Sequence, residues 1–221
     1  MKRVALIHTV RPVLHTFENL LEEVVGQPLK KHNMLDEFLA SDPAEVGSFT
    51  VENHNRLFND LKSAELTGAD LIIVTCSTLT PTVQKIRPFI ATPILAIDDA
   101  MTEQAVKLGK RILVMATAAS TLQPTVDKLQ QDAALIAKKI EIEAKDNKPA
   151  YDAMRSGDLE THDRLVLEMA REVVGFDCIV LAQASMGHLQ EQVETLTKIP
   201  TLASPILCCQ KAKKILEGID G

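Results

Sequence analysis

The sequence predicts an α/β protein built on parallel sheets, and three observations indicate this class. Short, continuous apolar runs alternate along the chain with longer amphipathic stretches. Strands covered by helices on both faces, as in parallel sheets, have continuous rather than alternating apolar sequences. The 221 residues are 46% hydrophobic, which suffices for one large core or two modest ones. The second half of the chain also repeats the pattern of the first.

Each predicted element follows from its local pattern. Strands are predicted where a short run is apolar and rich in β-branched residues, at 3–9, 71–75, 94–97, 112–115, 140–144 and 179–181. Helices are predicted where apolar residues recur at helical spacing, at 12–25, 81–89, 121–137, 161–174 and 205–216. We expect the charged stretch 138–148 to be a solvated strand and loop. Strands and helices therefore alternate from end to end, as the α/β class requires.

An internal repeat relates the two halves of the chain. Its clearest part is Gly-Ala-Asp-Leu-Ile-Ile-Val-Thr-Cys-Ser-Thr-Leu against Gly-Phe-Asp-Cys-Ile-Val-Leu-Ala-Gln-Ala-Ser-Met. The aligned pairs share an offset of 107 positions, or one more for the last pair: 68–79 with 175–186, 93–97 with 200–204, and 3–9 with 111–117. Buried strands resemble each other by chance because all draw on Val, Ile and Leu. Three pairs at one near-constant offset favour true duplication.

The repeat predicts two similar domains, the second inserted into the first. We expect the first domain to comprise residues 1–98 and 205–221, and the second residues 99–204. Two such halves are expected to be related by a pseudo-twofold axis, with the active-site cleft between them. Ligands of parallel α/β units bind at the carboxyl ends of the strands. The residues that follow the two equivalent strands, Cys76 and Gln183, are therefore predicted to line that cleft.

Composition and charge exclude several classes of partner. A net charge of −6 and a pI near 5.5 give no basic field for nucleic acid or an anionic membrane, so small molecules or a second copy of the chain are the expected partners. With no run of eighteen apolar residues and no signal peptide pattern, we expect a cytoplasmic protein. The four cysteines show no zinc spacing, so reduced thiols and no metal site are expected. The dinucleotide, P-loop and serine-hydrolase motifs are absent.

Cys76 is the strongest candidate for a reactive group. It lies past a strand end, beside Ser77 and Thr78, and before a helix expected to begin near Pro81. A thiol near the positive end of a helix dipole is favoured as the thiolate, and nearby hydroxyls and backbone N–H groups can hold a carboxylate. The remaining cysteines are expected to be packing residues in a strand or helix: Cys178, Cys208 and Cys209.

Other polar residues are expected at the same strand ends. His8 and Thr9 end the first strand, and Thr117 ends its counterpart. His8 could act as a general acid or base or could merely orient a ligand. We expect a carboxylate site made by Ser77, Thr78, Thr117 and Ser185, with His8 or Thr9 at its edge. His188 is a weaker candidate, and solvated positions are expected for His15, His32, His54 and His162.

The residues quoted above resemble the aspartate/glutamate/hydantoin racemase superfamily. The likeness lies in the motif ending Val-Thr-Cys76-Ser-Thr, in the hydroxyl-rich segment 115–121, and in Phe-Asp-Cys-Ile-Val-Leu-Ala-Gln183-Ala-Ser. The resemblance implies two similar α/β domains, a homodimer, and a small carboxylate-bearing substrate turned over without pyridoxal phosphate or another cofactor. It also implies one cysteine from each domain, one removing a proton as thiolate and the other returning a proton from the opposite face.

Cys76 fits the first of these cysteine positions, but Gln183 and Ala184 stand at the second. Glutamine has no proton to exchange at neutral pH, so its amide can only donate hydrogen bonds to a carboxylate or enolate. We therefore predict a racemase-like isomerase that uses Cys76. The alternatives are a one-cysteine lyase that protonates a carbanion left by decarboxylation, a cis–trans isomerase that forms a cysteine adduct, and a small-acid binding protein without turnover.

Overall fold

The computed structural model describes residues 1–218, which form two compact units. The first unit comprises Met1–Asp99 together with the segment that begins at Pro205, and the second comprises Ala100–Ser204. The second unit is thus inserted between two parts of the first. No helix in the described residues combines the length and the apolar composition needed to cross a bilayer.

Strands and helices alternate along both units. The strands within residues 1–218 are β1 (Arg3–His8), β2 (Lys30–Leu35), β3 (Leu71–Val74), β4 (Ile94–Ala96), β5 (Arg111–Ala116), β6 (Glu141–Asp146), β7 (Cys178–Leu181) and β8 (Thr201–Ala203). The α-helices in the same range are α1 (Arg11–Val25), α2 (Phe38–Val46), α3 (Val51–Glu65), α4 (Thr80–Ile86), α5 (Asp99–Leu108), α6 (Leu122–Leu135), α7 (Lys148–Arg155), α8 (Leu159–Arg171), α9 (Gln190–Thr197) and α10 (Ser204–Glu217).

Each unit contains one four-stranded parallel sheet, and the two sheets have the same design. The strand order is β2-β1-β3-β4 in the first sheet and β6-β5-β7-β8 in the second. The pairing register also repeats. Val4 pairs with Leu71 on β3, and the equivalent Ile112 pairs with Cys178 on β7. The predicted α/β class with two similar parallel sheets is confirmed.

The central strands are apolar throughout because helices cover both faces of each sheet. Every residue of β3 and β7 is fully buried. On one face of the first sheet, alternate strand residues pack against α3 and α4: Ala5, Ile7, Ile72, Val74, Ile94 and Ala96. On the corresponding face of the second sheet, alternate residues pack against α8 and α9: Leu113, Met115, Ile179, Leu181 and Ala203. The continuous apolar runs that predicted the strands are therefore explained by two-sided burial.

A repeated cluster joins neighbouring strands at the amino ends of both sheets. The backbone N–H of Arg3 donates to the Asp70 carboxylate at 2.7 Å, and that of Arg111 donates to the Asp177 carboxylate at 2.9 Å. These backbone hydrogen bonds lower the pKa of each aspartate. The same contact thus fixes the start of β1 against β3 and of β5 against β7.

A glycine two residues before each aspartate completes the cluster. Gly68 and Gly175 adopt φ of +69° and +78°, a left-handed conformation that costs glycine little. A Cβ at either position would lie 3.1 Å from an Nη1 atom of the neighbouring arginine. We call the two sets, Arg3–Gly68–Asp70 and Arg111–Gly175–Asp177, the edge brackets. They explain why Gly-x-Asp is the clearest part of the sequence repeat.

Several elements lie outside the predicted ones. The edge strand β2 has the sequence Lys-Lys-His-Asn-Met-Leu, whose partly exposed residues lack an apolar run. Helix α3 is polar along most of its surface and begins at a Thr50 cap that accepts from the Asn53 backbone N–H. The predicted solvated strand near residue 140 is observed as β6, which is the edge strand of the second sheet and is largely exposed. Edge strands are paired on one side only and therefore carry a weaker apolar signal.

Candidate functional site

Cys76 lies in the loop at the carboxyl end of β3. The chain leaves β3 at Val74 and enters a short 3₁₀ helix, Ser77–Leu79, after Cys76. The Cys76 Sγ atom lies 3.0 Å from the Thr78 Oγ1 atom. Cys76 is partly exposed, so its sulfur can meet a ligand and hydrogen-bond to a hydroxyl at the same time.

The other three cysteines are buried, as expected for packing residues. Burial raises the pKa of the Cys178 and Cys209 thiols to about 12. Burial also raises the pKa of Cys208 well above its usual value. These thiols are protonated at neutral pH and therefore are poor nucleophiles.

An aspartate missed by the sequence analysis holds the Cys76 loop in place. The Ser77 hydroxyl donates to Oδ1 of Asp98 at 3.0 Å, and the Thr80 hydroxyl donates to Oδ2 at 3.2 Å. Asp98 is almost fully buried and comes two residues after the end of β4. Its position just past the apolar run of β4 is the sequence feature that could have identified Asp98 as a site residue. The Ser77 and Thr80 hydroxyls thus tie the Cys76 loop to the segment that follows β4.

His8 is fully buried, with both ring nitrogens hydrogen bonded within the first unit. Its Nδ1 lies 2.8 Å from the Thr75 hydroxyl and its Nε2 lies 3.2 Å from Oδ1 of Asn33. The Asn33 amide nitrogen in turn donates to the Glu18 carboxylate at 2.6 Å. Burial lowers the pKa of His8, although the Asn33 hydrogen bond opposes that shift. The imidazole is therefore neutral at pH 7.

The surroundings of His8 select one tautomer. Because Asn33 donates its NH₂ to Glu18, its carbonyl oxygen must accept the proton on His8 Nε2. The His8 Nδ1 is then an acceptor for the hydroxyl of Thr75, the residue directly before Cys76; at 2.8 Å it lies nearer to that hydroxyl than the other acceptor, the Ile7 carbonyl oxygen at 3.2 Å. This arrangement suits a residue that orients the end of β3. It leaves neither ring nitrogen without a protein partner.

Thr9 and Thr117 occupy equivalent places directly after β1 and β5, and both are buried. Thr117 belongs to a hydrogen-bonded cluster with Gln183, which follows β7 in the second unit. The Gln183 side-chain carbonyl oxygen accepts from the Thr117 backbone N–H, from the Thr117 hydroxyl at 2.9 Å and from the Ala118 backbone N–H at 2.9 Å. Sequence alignment placed Gln183 at the strand end but could not show where its carbonyl points.

The two residues after Gln183 begin a 3₁₀ helix, Ala184–Leu189. Ala184 is partly buried and Ser185 is exposed. The structure therefore groups Cys76, Ser77 and Thr78 on one loop of the first unit, and Thr117 with Gln183 in the second. Ser185 is not part of the hydrogen-bonded Gln183 cluster.

A histidine pair in the second unit differs from expectation. His162 was expected at a solvated position but is almost fully buried, because it lies near the start of α8 on its inward face. Its Nδ1 lies 2.7 Å from Oδ1 of Asp163, and His188 Nε2 lies 2.8 Å from Oδ2 of the same carboxylate. The two histidine hydrogen bonds hold the pKa of Asp163 below its usual value, against the opposing effect of burial. No helical pattern in the sequence distinguished this inward histidine from a surface one.

Known families and structures are similar to this chain over most of its length. The family model described as Asp/Glu/Hydantoin racemase matches residues 12–212. A putative Asp/Glu racemase from Yersinia pestis has 17% sequence identity and a TM-score of 0.77, with 98% of this chain and 100% of that chain covered. No curated protein sequence has a significant match to this chain.

Two further solved structures share the fold. An aspartate racemase homologue from Pyrococcus horikoshii has 16% identity and a TM-score of 0.72, covering 98% of this chain and 100% of that one. The allantoin racemase from Klebsiella pneumoniae has 16% identity and a TM-score of 0.70, covering 99% of this chain and 89% of that one.

The two similar units with parallel sheets are the fold that these racemase structures share, and the family match identifies the class as racemase-like isomerases. The chain belongs to the Asp/Glu/Hydantoin racemase family, since the family model spans most of its length.

Proposed function

We propose that the chain is a racemase-like isomerase in which the Cys76 thiolate acts, without pyridoxal phosphate, on the carbon next to a carboxylate of a small acid. The observation that carries the proposal is the placement of Cys76. Of the four cysteines, all within the described residues, it alone is partly exposed, and it lies at a strand carboxyl end. Ligands of parallel α/β units bind at such ends.

The proposed step is a proton transfer that begins at Cys76. The thiolate takes the proton from the carbon next to the carboxylate and becomes a thiol, and the electron pair left on carbon is delocalised into the carboxylate. The Cys76 thiol can return a proton to the same face, which restores the starting acid. Inversion takes place when a water molecule protonates the opposite face and the hydroxide so formed takes the proton from the Cys76 thiol. The Thr78 hydroxyl, 3.0 Å from the sulfur, can donate a hydrogen bond to the thiolate. Thr9 is the remaining strand-end hydroxyl of the first unit for the substrate carboxylate, because the Ser77 proton is given to Asp98.

His8 is proposed as a positioning residue in this scheme. Both of its ring nitrogens are hydrogen bonded to protein groups, and Thr75, which it contacts, immediately precedes Cys76. Replacing His8 with Asn, which keeps part of the hydrogen bonding, should therefore lower kcat without removing the pH dependence that belongs to the thiol. A His8 that transferred protons itself would impose its own ionisation on the pH–rate profile.

Gln183 favours a second candidate, a one-cysteine lyase. It stands at the position equivalent to Cys76 in the repeat, and its amide has no proton to exchange at neutral pH. A single thiol could instead protonate the carbanion formed when a substrate loses carbon dioxide. Release of carbon dioxide from malonate-type acids, dependent on Cys76, would select the lyase. Saturable binding of such acids without any turnover would select the binding-protein alternative.

The decisive experiment follows both stereochemistry and hydrogen exchange. Each enantiomer of aspartate and glutamate is incubated in deuterium oxide, and optical rotation and deuterium uptake are measured together. We expect deuterium at the carbon next to the carboxylate to appear faster than inversion, because one thiol serves one face. Efficient inversion with solvent deuterium would instead require a second proton donor other than Gln183.

Matched cysteine variants test the role of the thiol. Cys76→Ser should lower exchange by about 10²- to 10⁴-fold, the usual range for loss of a general base. Cys178→Ala removes a buried thiol to which the proposal gives no role, so its exchange rate should match that of the unaltered protein. Equal activity in the Cys76→Ser variant would refute the proposal.

We also propose that the active form is a homodimer. The measurement is light scattering coupled to size-exclusion chromatography, which should give twice the 24.2 kDa mass of the chain. A monomer mass at micromolar concentration would contradict this assignment.

A further inference from the structure

The Gln183 side chain sits in a cluster with more donors than a carbonyl oxygen needs. Two backbone N–H groups and one hydroxyl converge on its Oε1 atom. A carbonyl oxygen has two lone pairs, whereas a carboxylate offers about four acceptor positions and a negative charge. Convergent N–H and O–H donors of this kind are typical of sites that bind oxyanions. The chemistry of the cluster therefore matches an anion better than the neutral amide that fills it.

The cluster consists of buried residues at strand ends and not of surface residues. Thr117 and Gln183 are only 1% and 8% exposed, so the oxygen and its donors are largely shielded from water. The Gln183 amide nitrogen has no hydrogen-bond partner among residues 1–218. This arrangement also fixes the side chain's orientation, because only the carbonyl end can accept from three donors.

The first unit has the same strand pairing, but no side-chain oxygen fills the equivalent position there. Ile7 pairs with Val74 as Met115 pairs with Leu181, so Thr9 and Val10 are equivalent to Thr117 and Ala118. Within the described chain, no side-chain oxygen accepts from the backbone N–H groups of Thr9 and Val10. The residue at the Gln183 position there is Cys76, whose shorter side chain contacts Thr78 instead.

We propose that Gln183 is an internal ligand that fills an oxyanion site formed by Thr117 and Ala118, and that a small carboxylate binds there when the Gln183 side chain leaves it. A substrate carboxylate would have to displace three hydrogen bonds to enter this site.

The test opens the site and asks whether a small anion enters it. In Gln183→Ala, the backbone amide NMR signals of Thr117 and Ala118 should shift saturably with added formate. The unaltered protein should show no such response over the same formate range. Adding Thr117→Val to Gln183→Ala removes the hydroxyl donor while keeping both N–H groups. That change should weaken formate binding by about two- to tenfold, the usual effect of losing one hydrogen bond.

A second variant keeps the test valid if Gln183→Ala fails to fold. Gln183→Glu has the same length, and its introduced carboxyl should titrate below the ordinary range because three donors favour the charged form. A carboxyl that titrates at or above the usual value would overturn the proposal. So would Thr117 and Ala118 signals that ignore formate in folded Gln183→Ala, or that respond equally in the unaltered protein. None of these measurements depends on turnover, so an inactive Cys76 would end the proposed function and leave this result intact.

Discussion

Selective alkylation of Cys76 is the sharpest expectation for the native protein. A thiol with a pKa of about 12, as at Cys178 and Cys209, is ionised in only about one molecule in 10⁴ at pH 8. An ordinary exposed thiol, with a pKa near 8.5, is ionised in roughly a quarter of molecules. Since the thiolate is the reacting species, the buried thiols should react at least roughly 10³-fold more slowly than an ordinary exposed thiol. Their lack of solvent contact widens the difference.

The assay is a time course of iodoacetamide labelling at pH 8, followed by peptide mapping. We expect the Cys76 peptide to be alkylated first and the other cysteine peptides only after denaturant is added. Alkylation of Cys208 or Cys209 within tenfold of the Cys76 rate would refute the reasoning, because it would show that their burial does not persist in solution. Cys76→Ser supplies the control, since it should leave the folded protein almost unlabelled.

Three further predictions concern stability. Burial and the neighbouring Asp36 raise the pKa of Asp60 to about 6 from 3.8. Between these values the unfolded state releases its proton first, so stability should fall as pH rises from 4 to 7, by about 1 kcal/mol after allowance for screening. Asp60→Asn should abolish that loss in urea titrations at several pH values. Gly175→Ala should lower the free energy of unfolding by about 1–2 kcal/mol, because alanine is strained at a φ of +78°. Gly157→Ala is the control, since Gly157 has a similar φ of +83° but no close neighbour, and it should lower the free energy of unfolding by a similar amount. Thr50→Ala should cost about 1 kcal/mol by removing the α3 cap, which a shift in thermal midpoint would report.

Each stability prediction has a contrary outcome. Parallel pH profiles for Asp60→Asn and the unaltered protein would show that no proton is retained at this position on folding. A Gly157→Ala cost far below that of Gly175→Ala would contradict the assignment of the penalty to backbone conformation, because it would indicate the Arg111 contact instead. An unchanged midpoint for Thr50→Ala would show that the cap contributes nothing to α3.

The sequence predicted the parts of the fold that depend on two-sided burial. The runs around β3 and β7 are continuous because no residue there meets water, and that pattern can be identified without a structure. The edge strand β2 and the polar helix α3 were missed because one side of each is exposed, so their apolar residues are sparse. The likeness of the two sheets followed from the repeat, whereas the strand order within each sheet was not predicted.

The strand-end positions of the candidate residues were predictable from the sequence, but the directions of their side chains were not. Cys76, Thr117 and Gln183 were identified because each follows a predicted strand, and ligands of parallel α/β units bind at the carboxyl ends of the strands. The direction of a side-chain hydrogen bond depends on tertiary structure, so the sequence could not show that the Gln183 carbonyl oxygen accepts hydrogen bonds from Thr117. The same limit applies to Asp98, whose partners lie about 20 residues earlier in the chain.

The edge brackets have a consequence for how such a protein can diverge. They lie at the amino ends of the strands, the end opposite the loops that carry Cys76 and Gln183. After a gene duplication, mutations in those loops would leave the arginine, glycine and aspartate anchors of each half untouched. One copy could therefore exchange its thiol for an amide while its sheet still assembled. An engineer could use the same separation by grafting strand-end loops between the halves without redesigning either core.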